Sequence, residues 1–122
     1  MNRSAQGRRA EEFAAEYLRR SGYRIVGRNV RARFGEIDLV AQDGPVFCFV
    51  EIKARRGLAF GFPEEAVTAV KRWRLRRLAA WYLQSKPQHA GSPVRFDVVS
   101  VLLGEDGRPA RMRLIKGAFE AA

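Results

Sequence analysis

Two adjacent apolar runs joined by a tight-turn signal constrain this sequence more than any other feature. The runs are residues 36–41 and 46–53, and Gln42-Asp43-Gly44-Pro45 lies between them. A short turn of this kind joins antiparallel strands, so the segment is predicted to form a β-hairpin. The second run is almost wholly apolar, which indicates a central strand that is covered on both faces of a sheet.

Charged side chains interrupt the two runs near their outer ends. Glu36 and Asp38 share one face of the first strand, and Glu51 and Lys53 share one face of the second. Asp38 and Glu51 stand about equally far from the turn, which predicts near-opposite neighbours. Facing carboxylates repel unless a cation or a proton joins them. The pattern predicts a cation site; the alternative is a buried network of Glu51–Lys53 and Asp38–arginine pairs that satisfies only itself.

The residue types at this site favour a hard divalent cation and phosphodiester hydrolysis. Mg²⁺ takes oxygen ligands, often one or two carboxylates together with water and substrate phosphate. Asp38 and Glu51, with the Ile52 carbonyl, would meet that need. A metal here would neutralise a phosphate and lower the pKa of a bound water. Lys53 is the candidate for activating that water or for stabilising charge on the phosphorane.

The charge of the chain indicates a polyanionic partner. Its 122 residues carry 23 Lys and Arg against 13 Asp and Glu, a formal net charge of +10. Arginine pairs bidentately with phosphate, so this excess favours DNA, RNA or an acidic membrane surface. The alternative is a basic protein whose charges only solvate it. The length and a hydrophobic content of 47% predict a single domain over residues 1–122, with a real core.

Several kinds of site are excluded by what the sequence lacks. Cys48 is the only cysteine and His89 the only histidine, so an intrachain disulfide and a zinc site of several His and Cys ligands are not available. Cys48 is predicted to be a buried small hydrophobe, which fits a reducing, cytoplasmic setting. His89 is predicted to lie in an exposed loop. The sequence shows no signal peptide and no run as long as a membrane span, so no membrane location is expected.

The rest of the pattern predicts the order helix, three strands, helix, two strands. Residues 5–20 and 64–85 are the predicted helices, and 55–63 a loop. The other predicted strands are 23–30, 94–103 and 110–116. A basic turn is expected at 31–34, and Phe119 is expected to dock on the core. The result is an α/β domain with a mixed central sheet of about five strands flanked by helices.

Basic side chains lie on both sides of the hairpin site in the sequence. Four arginines flank it directly and are predicted phosphate contacts: Arg31, Arg33, Arg55 and Arg56. The second helix adds Lys71 and Arg72, whose contacts with a nucleic-acid backbone would be independent of base sequence and sensitive to salt. The alternative for this helix is a solvated basic face.

Three other residues have both a structural and a functional interpretation. Trp73 and Trp81 are predicted to be core at their helical spacing, and the alternative is that they stack on bases together with Phe60. Asp97 is predicted to form a buried ion pair with an arginine such as Arg28, and the alternative is a partner of the hairpin site.

The charged hairpin resembles a known signature. Asp38, followed by Glu51-Ile52-Lys53 after an apolar strand, is similar to the PD-(D/E)xK nuclease signature, and the element order resembles the αβββαβ core of that superfamily. Gly-Glu-Ile-Asp-Leu at 35–39 and Val-Glu-Ile-Lys at 50–53 resemble the YraN-like bacterial family of predicted endonucleases more closely. Further similar pieces are Lys71 with Leu75 and residues 95–99. The resemblance runs from about residue 7 to residue 119.

The resemblance implies a restriction-endonuclease-like fold, similar to that of archaeal Holliday-junction resolvases. It also implies an endonuclease that uses Mg²⁺ or Mn²⁺ to hydrolyse DNA, at branched or structured sites. Asp38 and Glu51 match the metal-binding acids, Lys53 the catalytic lysine, and Glu11 a helix glutamate that reaches the metal. The other interpretation of Glu11 is an exposed acid paired with a nearby arginine, Arg8 or Arg9.

Some positions and some function classes stay open beside this resemblance. Glu36 is a further candidate ligand or an outward strand acid. Ile37 stands where the superfamily has proline, and Ala10 where a glycine commonly precedes the helix glutamate. A non-catalytic nucleic-acid-binding protein that keeps the nuclease fold is the main alternative, and an RNA-binding or scaffold protein is another. DNA is the expected partner with RNA as the alternative, and a monomer and a homodimer are both compatible with the sequence.

Overall fold

Two helices and five strands make up the computed structural model of the protein, which describes residues 5–56 and 68–119. In chain order they are α1 (Ala5–Arg20), β1 (Arg24–Ala32), β2 (Gly35–Asp43), β3 (Val46–Arg56), α2 (Ala69–Gln84), β4 (Val94–Leu103) and β5 (Pro109–Phe119). This order confirms the predicted α/β class and the αβββαβ core. No helix of the described residues is long and apolar enough to cross a membrane.

The five strands form one mixed sheet in the order β1-β2-β3-β4-β5. β3 and β4 are parallel, and the other neighbouring pairs are antiparallel. A parallel pair needs a crossover connection, which here contains α2. β3 lies at the centre of the sheet, with residues 47–51 all buried, as its apolar sequence predicted.

Alternation along β3 sends its side chains to two separate hydrophobic clusters. Phe47 and Phe49 pack with Leu75, Leu78 and Tyr82 of α2. On the other face, Cys48 and Val50 pack in a cluster that includes Ala14 and Leu18 of α1. Cys48 is fully buried, as expected. The sheet is therefore covered by α2 on one face and by α1 on the other.

Several predicted boundaries differ from the structure. β1 and β2 extend farther than predicted, because Arg31 pairs with Glu36 across the two strands, so the predicted basic turn contracts to residues 33–34. β5 likewise runs on to Phe119, whose ring stacks on Phe96 with centroids 4.7 Å apart, as its expected docking required. Most of the predicted loop 55–63, including Phe60, and the first residues of the predicted helix 64–85 lie outside the described residues.

Two structural predictions are wrong. Trp73 and Trp81 are not core: 54% and 40% of their surfaces are exposed, because α2 packs on the sheet through another face. His89 is not exposed but half-buried, with its ring edge-on to Phe47 at a centroid distance of 4.8 Å. Arg28, the arginine offered as an example of a partner for Asp97, pairs with Glu12.

Candidate functional site

The backbone pairing between β2 and β3 ends where the charged residues begin. The regular register runs from the turn as far as Leu39 opposite Val50. Beyond this point the N–H of Ile52 donates to Oδ2 of Asp38 at 2.8 Å. A backbone N–H that is turned away from water needs a partner. The Asp38 carboxylate takes that role, and this bond holds it beside Glu51, as the hairpin spacing predicted.

Glu51 is buried between the central strand and α2. It follows Phe47 and Phe49 on the strand face that α2 covers, and only 7% of its surface is exposed. Its Oε1 atom lies 2.6 Å from Nζ of Lys71 and 3.8 Å from Nζ of Lys53. Two lysines, one from the strand and one from the helix, therefore converge on one carboxylate.

The start of α2 explains why Lys71 reaches this carboxylate. Thr68 caps the helix, since its hydroxyl accepts from the Lys71 N–H at 3.2 Å. Lys71 precedes Leu75 by four residues and therefore shares the helix face that carries Leu75 and Leu78 into the core. That face continues past the apolar contacts to the charged end of β3. Lys71, predicted as a phosphate contact, thus lies inside the site.

The electrostatics of the site favour additional positive charge. Burial, followed by the nearby Asp38 carboxylate, raises the pKa of Glu51, and the two lysines only partly oppose this shift. Burial and the neighbouring Lys71 lower the pKa of Lys53. Burial also acts to lower the pKa of Lys71, but its hydrogen bond to Glu51 helps to raise that pKa overall. The carboxylate pair is thus not fully compensated by the lysines.

The oxygens of Asp38 and Glu51 fit a hard cation such as Mg²⁺ or Mn²⁺. Across residues 5–56 and 68–119, no three His, Cys, Asp or Glu side chains come together as a metal-binding group. An ion that takes two carboxylates from the protein and fills its other positions with water and phosphate, as Mg²⁺ commonly does, could be held by Asp38 and Glu51. Such an ion would share Glu51 with Lys71.

Glu11 is buried on α1 and not exposed as its alternative interpretation required. Only 6% of its surface is exposed, and its Oε1 accepts from Nδ2 of Asn29 at 3.1 Å. Asn29 has a φ of 50° and lies in β1 between two paired residues, Arg28 opposite Leu39 and Val30 opposite Ile37. By this count Asn29 stands opposite Asp38, so it links Glu11 to the strand position that bears the site. The role of Glu11 as a ligand stays a prediction.

Asn29 is a residue that sequence reasoning missed. A left-handed backbone inside a strand is uncommon for any residue with a side chain, and asparagine is among those that adopt it most readily. The sequence signal was an Asn two residues after Gly27 within an otherwise regular strand pattern. Such conformations often occur at functional sites, because the surrounding structure must hold them.

The basic residues around the site differ in their surroundings. Arg31 Nε pairs with Oε2 of Glu36 at 2.6 Å. Glu36, the further candidate metal ligand, is therefore held by one of the arginines that flank the site. The three other flanking arginines lie at the same end of the sheet, where the β1–β2 turn and the end of β3 meet: Arg33 and Arg56 are exposed and Arg55 is half-buried. Arg72 is exposed, with its guanidinium 5.6 Å from the Phe119 ring centroid.

A cavity opens directly beside the buried ion pair. Its volume is about 300 Å³, and it lies between the first turns of α2 and the beginning of β2. Glu36 lines one side, and Val70, Lys71 and Arg74 line the other. The cavity therefore joins the surface of α2 to the lysine that contacts Glu51.

Asp97 belongs to a separate, fully satisfied network. Its carboxylate accepts from the Tyr23 hydroxyl at 3.0 Å, from Arg95 Nε at 2.9 Å and from the Gly117 N–H at 2.9 Å. Tyr23 is part of the cluster on the α1 face, whereas Glu51 faces α2. The predicted buried ion pair is confirmed, with Arg95 in the place expected for Arg28.

Sequence comparisons place these residues within one family. The family model described as uncharacterised protein family UPF0102 matches residues 10–101, a range that includes Asp38, Glu51 and Lys53. A UPF0102 protein of Symbiobacterium thermophilum is 58% identical over 118 residues, which cover 94% of this chain and 96% of that protein. UPF0102 proteins of Moorella thermoacetica and Nocardia farcinica are 49% and 50% identical over 119 and 108 residues. These matches cover 98% of this chain and 98% of the Moorella protein, and 88% of this chain and 84% of the Nocardia protein. The chain therefore belongs to the YraN-like family UPF0102.

Proposed function

We propose that this protein is a divalent-metal-dependent endonuclease that hydrolyses DNA phosphodiesters, with branched or otherwise structured DNA as its substrate. One observation carries the proposal. Asp38 and Glu51 meet at the end of an apolar hairpin, where burial and mutual repulsion raise the pKa of Glu51 while Lys53 and Lys71 approach it. Perturbed, clustered titratable groups beside a cavity are typical of catalytic sites.

Each residue of the site has a distinct role in this proposal. Asp38 and Glu51 would hold Mg²⁺ or Mn²⁺, which when bound neutralises phosphate charge and lowers the pKa of water. The Ile52 N–H fixes the Asp38 carboxylate in place. Lys53, a compact cation with a lowered pKa, is suited to orient the attacking water or to stabilise the charge that develops on phosphate. Lys71 orients Glu51 and favours its ionised form, against the raising effects of burial and Asp38 on its pKa.

The surrounding basic residues support a polyanionic substrate. Arg33, Arg55 and Arg56 lie at the end of the sheet that carries the carboxylates, and the whole chain has a net charge of +10. Phosphate contacts from such residues would position DNA irrespective of its base sequence and would weaken steeply with salt. The same features support the second candidate, a non-catalytic nucleic-acid-binding protein. The two candidates differ only in the role of the carboxylates, which bind a catalytic metal in the first and do not in the second.

A nicking assay on duplex, flap and four-way DNAs, with and without Mg²⁺ or Mn²⁺, tests the proposal. The wild type should cut at least one substrate only when the metal is present, and Asp38→Asn and Lys53→Met should reduce the rate by about 100-fold or more. Glu16→Gln is the matched control, because within residues 5–56 and 68–119 this exposed α1 carboxylate forms ion pairs only with its helix neighbours Arg19 and Arg20.

The two candidate functions give opposite results in this nicking assay, and measurements of DNA binding and of the heat of metal titration complete the distinction. A protein that binds DNA with a steep salt dependence, releases no heat on metal titration and nicks no substrate would establish the non-catalytic alternative. Equal cleavage by wild type and Asp38→Asn would show that the activity does not come from this site. Stronger competition by RNA than by DNA would redirect the proposal to RNA.

A further inference from the structure

The outer side of α2 carries large aromatic side chains that the fold leaves in solvent. Val70, Trp73 and Trp81 are 60%, 54% and 40% exposed. The guanidinium of Arg77 lies 4.9 Å from the ring centroid of Trp73 and 4.5 Å from that of Phe34 in the β1–β2 turn. We call Val70, Trp73, Arg77 and Trp81 the outer face of α2. Exposed clusters of large apolar residues commonly mark interaction sites.

The charge of α2 limits what can cover this face. The helix contains no acidic residue in its 16 positions and five basic ones: Lys71, Arg72, Arg74, Arg76 and Arg77. Two copies that met through this face would bring like charges together, and stable protein interfaces are depleted of charge at their centre. A helix that lies on a membrane needs a broad apolar face turned outward, whereas the broad apolar face of α2 is buried against the sheet.

A single strand of nucleic acid complements both properties of the face. Its phosphates match the arginines, and its unpaired bases present flat apolar surfaces to aromatic rings. We propose that the outer face of α2 binds a single-stranded segment of DNA, with bases stacked on Trp73 and Trp81 and phosphates held by Arg74 and Arg77. This inference rests on the proposed nuclease function, for which it names the substrate class: DNA with an unpaired strand beside the phosphodiester that is cut.

The position of this face connects it to the candidate site. Trp73 and Trp81 lie about 12 Å apart along the axis of α2, given a rise of about 1.5 Å per residue. Val70 belongs to the face and also lines the 300 Å³ cavity together with Lys71. Lys71 in turn contacts Glu51 at 2.6 Å. A strand that lies along α2 therefore has a route from the tryptophans to the carboxylates.

Fluorescence anisotropy with labelled DNA in metal-free buffer tests this inference. The probes are a short oligo(dT) and a blunt hairpin duplex without unpaired ends. Replacing both tryptophans by leucine keeps an apolar side chain but removes the ring, and replacing both by phenylalanine keeps a ring. We expect Trp73→Leu/Trp81→Leu to bind oligo(dT) about tenfold or more weakly. Trp73→Phe/Trp81→Phe should stay within about threefold of the wild type, and duplex binding should change by less than about twofold in both variants.

Several outcomes would overturn the inference. Unchanged oligo(dT) binding by the leucine variant would do so. Sedimentation that shows a wild-type dimer dissociated by the same substitutions would instead assign the face to a second copy, and loss of binding to anionic vesicles alone would assign it to a membrane surface. As a folding control, the tryptophan variants should have thermal unfolding midpoints within about 2 °C of the wild type, which would show that any change in binding does not come from a damaged fold.

The design separates this inference from the proposed function. Binding is measured without metal, so it does not depend on hydrolysis, and Glu16→Gln, the exposed control on α1, should bind oligo(dT) as tightly as the wild type. Tryptophan-dependent binding without any cleavage would refute the nuclease proposal alone. If the leucine variant cleaves flap DNA at the wild-type rate and binds oligo(dT) unchanged, only the proposal that the outer face of α2 binds single-stranded DNA is refuted.

Discussion

The Nζ atom of Lys71 lies 2.6 Å from Oε1 of Glu51, so an ion pair joins α2 to the central strand inside the candidate site. The same carboxylate has Asp38 as a neighbour, which raises its pKa, and Lys53 at 3.8 Å. Lys71 therefore contributes both to the packing of α2 and to the charge balance of the carboxylates. Its substitution should affect stability as well as chemistry.

We expect Lys71→Met to lower the free energy of unfolding by about 1–2 kcal/mol in metal-free buffer. Loss of one partner from a buried pair costs more than this, but the Lys71 side chain is 36% exposed and solvent screens the interaction. Urea denaturation measures the change. Arg74→Met, an exposed neighbour on the same helix, is the matched control, and equal stabilities of the two variants would contradict a structural role for the Lys71–Glu51 pair.

Glu51→Gln should leave the metal-free protein at least as stable as the wild type at neutral pH. Burial and Asp38 raise the pKa of Glu51, so its ionised form is less favourable in the folded state than in the unfolded chain. Protonated Glu51 stabilises the fold at pH values below the pKa that it has in the unfolded chain. This contribution is lost as the pH rises through the higher pKa of Glu51 in the folded protein. A neutral glutamine avoids the penalty that remains at neutral pH.

Thermal unfolding of Glu51→Gln with and without Mn²⁺ checks this prediction. The metal should raise the midpoint of the wild type, because a ligand that binds only the folded state stabilises it, and it should leave the variant unchanged. Glu16→Gln, on the exposed side of α1, should respond to Mn²⁺ as the wild type does. A destabilised Glu51→Gln, or one that Mn²⁺ stabilises normally, would count against the assignment.

Asp97→Asn should destabilise the protein without impairing the site. The buried carboxylate accepts from Tyr23, Arg95 and the Gly117 N–H, and its loss should cost about 3–5 kcal/mol. Tyr23→Phe removes one of these donors and should cost only about 1–2 kcal/mol, so it remains folded if Asp97→Asn does not. Urea denaturation measures these losses, and the nicking rate per folded molecule of both variants should match that of the wild type. A loss of nicking rate in Tyr23→Phe that its stability does not explain would place the Asp97 network within the site.

The pKa of Asp43 predicts a pH-dependent contribution to stability. The hydrogen bond from Arg95 holds this pKa below its usual range, with partial burial opposing the shift and Lys116 adding to it. A lowered folded pKa stabilises the protein above the unfolded value of about 3.9, and this contribution is lost as the pH falls through the folded value. Asp43→Asn should thus be less stable at neutral pH, by at most about 1 kcal/mol.

Urea denaturation across the acidic range checks this prediction. The difference between Asp43→Asn and the wild type should close as the pH falls below about 4. Glu105→Gln, on the exposed turn before β5, is the control for a carboxylate in the solvent. A difference that persists unchanged at low pH would mean that the ionised form of Asp43 is not what stabilises the fold.

The sequence was most informative where local chemistry and the fold agree. Alternation and turn spacing were enough to place Asp38 near Glu51, because hairpin register depends on nearby residues. The apolar run of β3 identified the central strand for the same reason. The length of β1 and β2 was underestimated, since a cross-strand pair such as Arg31 with Glu36 gives no apolar signal.

The errors concern relationships between distant elements. α2 has apolar residues on more than one side, so its sequence did not show which side faces the sheet. The structure shows that Leu75 and Leu78 do so, which brings Lys71 inward and leaves Trp73 and Trp81 outside. One detail was local: Asp97 was predicted to be buried and paired, and its partner Arg95 lies two residues earlier on the same face of β4, where strand alternation alone would have indicated it.

Single-turnover hydrolysis of one end-labelled flap DNA tests the central claim most directly. Wild type, Glu51→Gln, Lys53→Met and the control Glu16→Gln would be purified in parallel and assayed at saturating protein with Mg²⁺. We expect cleavage by the wild type and the control, abolished by chelation, and a loss of about 100-fold or more in both site variants without loss of DNA binding. Cleavage at equal rates by all four proteins, or no cleavage of any flap by a folded wild type that binds it, would contradict the assignment of Glu51 and Lys53 to a nuclease site.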